Sequence, residues 1–140
     1  MLPPFEEYCL LIASLPDQFS SIQQSTLTVY RIGPFAAEVE GQRTFALSYV
    51  LTVWELLDLS SSEIRGYSYE LDRGDERIWW CDPTEPPGDA TLRSSYPHHR
   101  HVPPDIRRHR VPAPEISFTH PNLPALIASV GRVLKQQASG

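Results

Sequence analysis

The chain has 140 residues, of which 41% are hydrophobic, and a formal net charge of −5 at pH 7. This length suffices for a domain with a real core, since chains of this size bury roughly two-thirds of their unfolded surface. The negative charge argues against a protein that coats DNA regardless of sequence, because such binding relies on many contacts between phosphates and Lys or Arg. We expect one globular domain over residues 1–140.

The cysteines and the apolar runs indicate the cellular compartment in which the protein is expected. Cys9 and Cys81 are too few and too far apart for a disulfide framework or a metal knuckle, and free thiols fit a reducing compartment. No run approaches the ~18 apolar residues of a membrane span, and the apolar run at 9–15 follows two acids rather than a basic region. We expect a cytoplasmic protein with no secretion signal and no membrane association.

An amphipathic helix is predicted near the N-terminus. Glu6 and Glu7 in its first turn favour the helix dipole, and Pro16 or a turn at Asp17 is expected to end it. Its apolar residues recur at helical spacing: Phe5, Tyr8, Cys9, Leu11, Ile12 and Leu15.

The pattern becomes that of β-strands from Ser25 onwards. Apolar and polar residues alternate over Leu27–Arg31, and the Gly33-Pro34 turn follows. Phe35–Glu40 is expected to return as a second strand, closed by a turn at Glu40–Gln42. These two segments therefore predict the first hairpin of an antiparallel sheet.

The middle of the chain predicts the rest of that sheet. The apolar run Phe45–Leu59 is ambiguous between helix and strand by periodicity, but its β-branched and aromatic residues favour a strand. Ile64–Leu71 and Arg77–Cys81, joined by the turn Asp72–Asp75, are typical of a hairpin. We expect an antiparallel meander of four to five strands.

The last third of the chain divides into a Pro-rich segment and a helix. Eight of the 14 prolines lie in the segment 83–114, which is too proline-dense for a helix or a central strand and is expected to form a wrapping loop, or to carry a short edge strand at His98–Val102. Thr119 or Asn122 can then cap a helix with Pro124 in its first turn. Its apolar stripe comprises Leu123, Leu126, Ile127, Val130, Val133 and Leu134. The fold class expected is α+β, with a helix at each end of the chain.

A basic segment within the Pro-rich loop is the strongest pointer to function. Three of the five histidines fall within four residues, and five arginines against one acid, Asp105, give the segment 93–110 a charge of +4. The arginines are Arg93, Arg100, Arg107, Arg108 and Arg110. In an extended chain, residues two apart face the same side, so His99 and His101 would face one side and His98 and Arg100 the other.

This combination of side chains suits RNA cleavage through the 2′-hydroxyl, which needs a base, an acid and a cation for the transition-state charge. We expect His99 and His101 to act as acid and base, with His98 beside them. Asp82 would orient a histidine. Phosphate would be held by Arg93, Arg100 and Arg108, with help from Tyr67 or Tyr69. No cofactor and no metal is required by this chemistry.

Other interpretations of the same residues stay open. The His-x-His pair could chelate a divalent ion with Asp82, His109 or His120, which would make the protein a metal-dependent hydrolase. The basic segment could instead dock a partner protein or a nucleic acid without catalysis. Tyr67 and Tyr69, two residues apart, could simply pack in the sheet.

The order of these elements resembles the TumE-type toxins of prokaryotic toxin–antitoxin systems. The resemblance runs from about Trp54 to Leu134 and rests on the Tyr67-x-Tyr69 strand, on Asp82, and on the motif Pro97-His98-His99-Arg100-His101. Where that family has Arg and Asn beside the aspartate, this chain has Trp80 and Pro83, as expected of a divergent member.

The resemblance implies a growth-inhibiting toxin that is neutralised by a separate antitoxin, commonly a helix-turn-helix protein. RNA as the substrate is inferred from the histidines and arginines rather than from the family. An exposed aliphatic or tryptophan patch would indicate an interface with the antitoxin or with a second copy in a homodimer.

Overall fold

The protein consists of an antiparallel sheet, with one helix before its strands in the sequence and one helix after them. The structure is a computed structural model that describes residues 1–83, 98–102, 110–113 and 116–139. The elements in chain order are α1 (Phe5–Gln18), β1 (Ile22–Ser25), β2 (Thr28–Arg31), β3 (Ala36–Phe45), β4 (Tyr49–Asp58), β5 (Glu63–Arg73), β6 (Glu76–Pro83), β7 (His98–His101), β8 (Arg110–Pro112) and α2 (Leu123–Ser139). The α+β class predicted from the sequence is confirmed.

The strands form one sheet in the order β1-β3-β4-β5-β6-β7-β8, and β2 also pairs with β3. Every one of these pairings is antiparallel. The predicted meander therefore forms the centre of the sheet as β3 to β6. The sheet is larger than the four to five strands expected, since eight strands lie within the described ranges.

The start of the sheet and the end of α1 differ from the sequence prediction. β3 continues to Phe45 instead of ending in a turn at Glu40–Gln42. Gly41 has a φ of +138°, and a Cβ there would lie 2.5 Å from the carbonyl oxygen of Thr26. This glycine therefore permits the close approach of two backbone segments rather than a turn. Helix α1 also continues past Pro16 and ends at Gln18.

One face of the sheet is buried and both helices contact it. Burial alternates strictly along β4, whose buried side chains are Tyr49, Leu51, Val53, Glu55 and Leu57. The predicted strand over the ambiguous run 45–59 is thus confirmed, because alternation with a period of two is the pattern of a half-buried strand. Residues of α1, α2 and this face join in one apolar cluster.

Two elements predicted for the last third of the chain are present. The strand expected at His98–Val102 forms as β7, but it is not an edge strand, because it pairs with β6 on one side and with β8 on the other. Helix α2 begins at Leu123, directly after Asn122, and Pro124 lies in its first turn, where a missing N–H has no helical partner to lose. Most of the segment 83–114, including its expected wrapping loop, lies outside the described residues.

A buried arginine compensates for the proline near the end of α1. The carbonyl of Ile12 would normally accept a hydrogen bond from the N–H four residues later, but that residue is Pro16, which has none. Nη2 of Arg43 in β3 donates to this carbonyl at 2.7 Å, and the arginine is buried. Arg43 therefore donates the hydrogen bond to the Ile12 carbonyl that the backbone at position 16 cannot donate.

The energetic coupling between Pro16 and Arg43 can be measured with a double-mutant cycle. Arg43→Met takes the donor from the buried Ile12 carbonyl, which costs about 1–3 kcal/mol, and it also removes a buried charge, a contribution that is the same with or without Pro16 and cancels in the cycle. In a Pro16→Ala background the new N–H can bond this carbonyl, so the same substitution should cost about 1 kcal/mol less. Urea denaturation of the four proteins gives the coupling. Arg65→Met at an exposed site is the control, and additive effects of Pro16→Ala and Arg43→Met would contradict the interpretation.

The turn between β3 and β4 is built from residues that disfavour its backbone conformation. Leu47 has a φ of +61° and Ser48 one of +67°, and the N–H of Tyr49 donates to the carbonyl of Ala46. Positive φ at both central positions is what a type I′ turn requires, and Asn-Gly is the usual sequence there. Leu and Ser are therefore strained in this turn.

Replacing the turn residues should stabilise the protein. Leu47→Asn combined with Ser48→Gly should raise the free energy of unfolding by about 1 kcal/mol, because these residues adopt positive φ with less strain. The control Ser68→Gly, in the interior of β5, should lower it by about 0.5–1 kcal/mol, since glycine weakens a regular strand. Chemical denaturation measures both. A loss of stability in the turn variant would contradict the strain assigned to this turn.

Candidate functional site

The histidine motif is held against the aspartate at the end of β6. The pairs in register are Trp80 with His101, Cys81 with Arg100, Asp82 with His99, and Pro83 with His98. The sequence predicted a strand here, as an edge strand, but β7 pairs with β6 and with β8, and the sequence identified neither partner. The side chains of His98 and His99 lie outside the described part of the structure, whereas those of Arg100 and His101 lie within it.

The imidazole of His101 lies between a carboxylate and an aromatic ring. Its Nε2 atom is 3.5 Å from Oδ1 of Asp82, and its ring stacks on that of Trp80 with a centroid separation of 4.0 Å and an interplanar angle of 23°. His101 is only 3% exposed, whereas the side chain of Asp82 is 46% exposed. The stacking and the carboxylate together orient the imidazole, as a positioned acid or base requires.

Arg100 lies on the opposite side of β7 from this pair. It is opposite Cys81 on the buried face, and its guanidinium carbon is 4.6 Å from the centroid of the Trp79 ring. This arrangement is the alternation that the sequence predicted for Arg100 and His101. The structure therefore brings Asp82 and His101 together, and directs Arg100 towards the tryptophan at the core.

The two tyrosines predicted to assist substrate binding are buried in the core. The hydroxyls of Tyr69 and of Tyr8 each donate to a different carboxylate oxygen of Glu55, which is 0% exposed. Nδ2 of Asn122 donates to the Tyr69 hydroxyl oxygen at 3.0 Å. The ring of Tyr67 stacks on that of Tyr69, with centroids 5.0 Å apart. The tyrosines thus belong to a polar network behind the sheet face rather than to an exposed surface.

Burial dominates the electrostatics of this network. It raises the pKa of Glu55 above its ordinary value of 4.5, while the hydrogen bonds from Tyr69 and Tyr8 act in the opposite direction. Burial also raises the pKa of Tyr69, and the nearby carboxylate of Glu55 adds to that effect. The pKa of Tyr67 is raised by burial, and by the neighbouring Cys81 and Asp82. Neutral forms are therefore favoured throughout the network.

Glu55 and its hydrogen-bonding partners are absent from the residues predicted from the sequence. The available pointer was the position of Glu55, which follows Leu51 and Val53 at every second residue of an apolar strand and so falls on the buried face. A buried carboxylate needs donors, but nothing in the sequence identifies Tyr8 and Tyr69 as those donors, because they come from two other elements.

The remaining candidates are not gathered around His101 in the described structure. Arg93, Arg108 and His109 lie outside the described residues, and His120 is exposed on a bend before α2. Across the described ranges, no three side chains of His, Cys, Asp or Glu come together as metal ligands could. Neither described helix is long and apolar enough to cross a bilayer.

Comparison with known proteins finds a family for this chain. The family model described as "Toxin TumE" matches residues 12–134, which is most of the sequence. No curated protein and no solved structure matches. The matched range contains Asp82, the histidine motif and both tyrosines.

The protonation of Glu55 should be visible in the pH dependence of stability. A carboxyl group whose pKa is raised on folding binds its proton more tightly in the native state, so its contribution to stability is present below about pH 4.5 and is lost as the pH rises through the raised value. Glu55→Gln removes this titration. The free energy of unfolding of the variant should therefore rise relative to that of the wild type as the pH rises, by up to about 1.4 kcal/mol per pH unit.

Chemical denaturation between about pH 4.5 and 8 tests this expectation. Glu40→Gln changes an exposed carboxylate in β3 and serves as the control. A difference between Glu55→Gln and the wild type that stays constant over this range, or that shrinks with rising pH, would show that Glu55 is ionised in the native state.

Proposed function

The chain belongs to the TumE toxin family, and on this premise we propose that it is a metal-independent ribonuclease. The family makes it the toxin component of a toxin–antitoxin system, with an antitoxin as its partner. The helix-turn-helix type of that antitoxin, the RNA substrate and the catalytic use of the histidine motif are parts of the proposal.

The contact between His101 and Asp82 is the observation that supports catalysis best. An imidazole 3.5 Å from a partly exposed carboxylate, and stacked on Trp80, has a defined orientation. A carboxylate beside a histidine stabilises the imidazolium that forms when the histidine takes up a proton. The backbone of His99 pairs with that of Asp82 in the same ladder, so both proposed catalytic histidines belong to one short strand.

The proposed reaction uses the 2′-hydroxyl of RNA as the nucleophile. One histidine, His99 or His101, takes the 2′ proton as the 2′ oxygen attacks phosphorus. The other histidine gives a proton to the departing 5′ oxygen, and His98 lies beside them in the strand. The products are a 2′,3′-cyclic phosphate and a 5′-hydroxyl end. Asp82 orients His101, and no metal or cofactor takes part.

Phosphate binding is assigned to the arginines of the basic segment. Arg93 and Arg108 are the proposed ligands, because one guanidinium can bind two phosphate oxygens. Arg100, predicted to join them, instead contacts Trp79 on the buried face of β7, so we assign it a packing role. Tyr67 and Tyr69 are buried, so we do not assign them direct contact with the substrate. We propose instead that they support the site indirectly, by packing in β5 next to β6.

The burial of His101 favours a second candidate function, a non-catalytic interaction module. A histidine that is 3% exposed and stacked on a tryptophan also suits a purely structural role. The basic segment would then dock an acidic partner or a nucleic-acid backbone, and the binding would weaken steeply with salt. This candidate predicts binding without defined cleavage products.

Induced expression in a bacterial host, with growth and total RNA followed over time, tests the nuclease. The wild type should arrest growth and cleave RNA, and His99→Ala/His101→Ala should abolish both, since a positioned acid–base pair contributes about 10²–10⁴-fold to rate. Asp82→Asn should reduce cleavage while retaining the fold, because the imidazole loses the charged partner that orients it and stabilises its protonated form.

His120→Ala is the matched control, since it removes an exposed histidine outside the motif and should leave cleavage unchanged. Circular dichroism of each purified variant separates loss of activity from loss of fold. RNA cleavage retained in the folded double variant would overturn the assignment of His99 and His101. Cleavage abolished by a chelator and restored by one divalent ion would instead favour a metal-dependent hydrolase.

A further inference from the structure

Arg43 is a buried cation with more hydrogen-bonding capacity than its structural role uses. It is 1% exposed, and burial lowers its pKa below the ordinary value. A guanidinium has five N–H donors, and the bond from Nη2 to the Ile12 carbonyl uses one of them. Within the described ranges Nε makes no hydrogen bond, and no carboxylate forms an ion pair with Arg43.

The structural role alone does not account for a charged side chain. Repair of the Ile12 carbonyl needs one donor, which a neutral side chain can supply. A buried charge without a counter-ion is costly, with an effective penalty of several kcal/mol. The positive charge of Arg43 and its unpaired Nε donor therefore lack the partner that an anion would supply.

Arg43 is one of the residues that line a groove. The groove has a volume of about 380 Å³ and lies between α1 and the edge of the sheet formed by β1 and β2. Its walls are mainly apolar, with Ile12, Ala13 and Pro16 on one side and Leu27 and Val29 on the other. Arg43 is the charged residue among those that line it, and none of the described lining residues is an acid.

We propose that this groove binds a small carboxylic acid with an aliphatic tail, whose carboxylate pairs with Arg43 while the tail contacts the apolar walls. A planar guanidinium suits the two oxygens of a carboxylate, and the groove is of the size that small-ligand sites have. The site is separate from the histidine motif, and the proposal is independent of ribonuclease activity.

Titration of the full-length protein with sodium hexanoate tests the proposal. Hexanoate should raise the Tm in a saturable way, since a ligand that binds only the native state stabilises it. Two further measurements test which parts of the ligand are needed and whether hexanoate occupies the groove. Hexan-1-ol and inorganic phosphate should have much smaller effects at equal concentration, because each supplies only one half of the proposed interaction. Hexanoate should also slow the alkylation of Cys9, which lines the groove and is partly exposed, whereas Cys81 is buried.

A variant without the guanidinium but with the α1 carbonyl repaired provides the decisive comparison. Pro16→Ala/Arg43→Met should bind hexanoate about 10–100-fold more weakly than Pro16→Ala, as expected for a lost charge-assisted hydrogen bond. Arg31→Met removes an exposed arginine of β2 and should bind like the wild type. Absence of saturable binding to the wild type would overturn the proposal, and so would equal binding to Pro16→Ala/Arg43→Met or phosphate binding in place of hexanoate.

Discussion

The buried carboxyl group of Glu55 is the constraint on which the arrangement of the elements depends. A carboxyl group that is fully removed from water must find hydrogen-bond partners, and here donors come from Tyr8 in α1 and Tyr69 in β5. Asn122, at the start of α2, extends the network by donating to Tyr69. One acid in β4 thereby determines where both helices meet the sheet, and apolar packing, which is not directional, completes the contact.

The same network sets the position of the candidate site. Tyr69 pairs with Cys81 in the ladder between β5 and β6, so the polar core is one strand away from the strand that carries Asp82. β7 then pairs with β6 and places His101 beside Asp82. The site is therefore built outward from the core, strand by strand. The described part of the site depends on the backbone register between β6 and β7. A shift of one residue would move each side chain of β7 to the opposite face of the sheet.

The sequence was sufficient for elements whose pattern is local. The helical stripe of α2, the strand at 45–59 and a strand at 98–102 follow from periodicity and proline content. All three are present, although the last lies between β6 and β8 rather than at an edge of the sheet. It was insufficient wherever the explanation lies in a distant residue. Gly41 resembled a turn because its neighbour across the strands, Thr26, is invisible to local pattern. The sequence predicts that Asp82 orients a histidine without identifying which one, and only the pairing of β6 with β7 shows that His101 is its neighbour.

The two buried ionisable groups of the core, Glu55 and Arg43, do not pair with each other. Arg43 lies opposite Leu51, four residues along β4 from Glu55, which corresponds to about 13 Å at the rise of a strand. Each group instead relies on α1, because Tyr8 donates to Glu55 and the Ile12 carbonyl accepts from Arg43. Displacement of α1 would leave both polar groups buried without these partners, so the helix is held by two polar contacts one turn apart. A ligand that engages Arg43 in the groove beside α1 would act on the second of these contacts, and would therefore bias the position of the helix that closes the core.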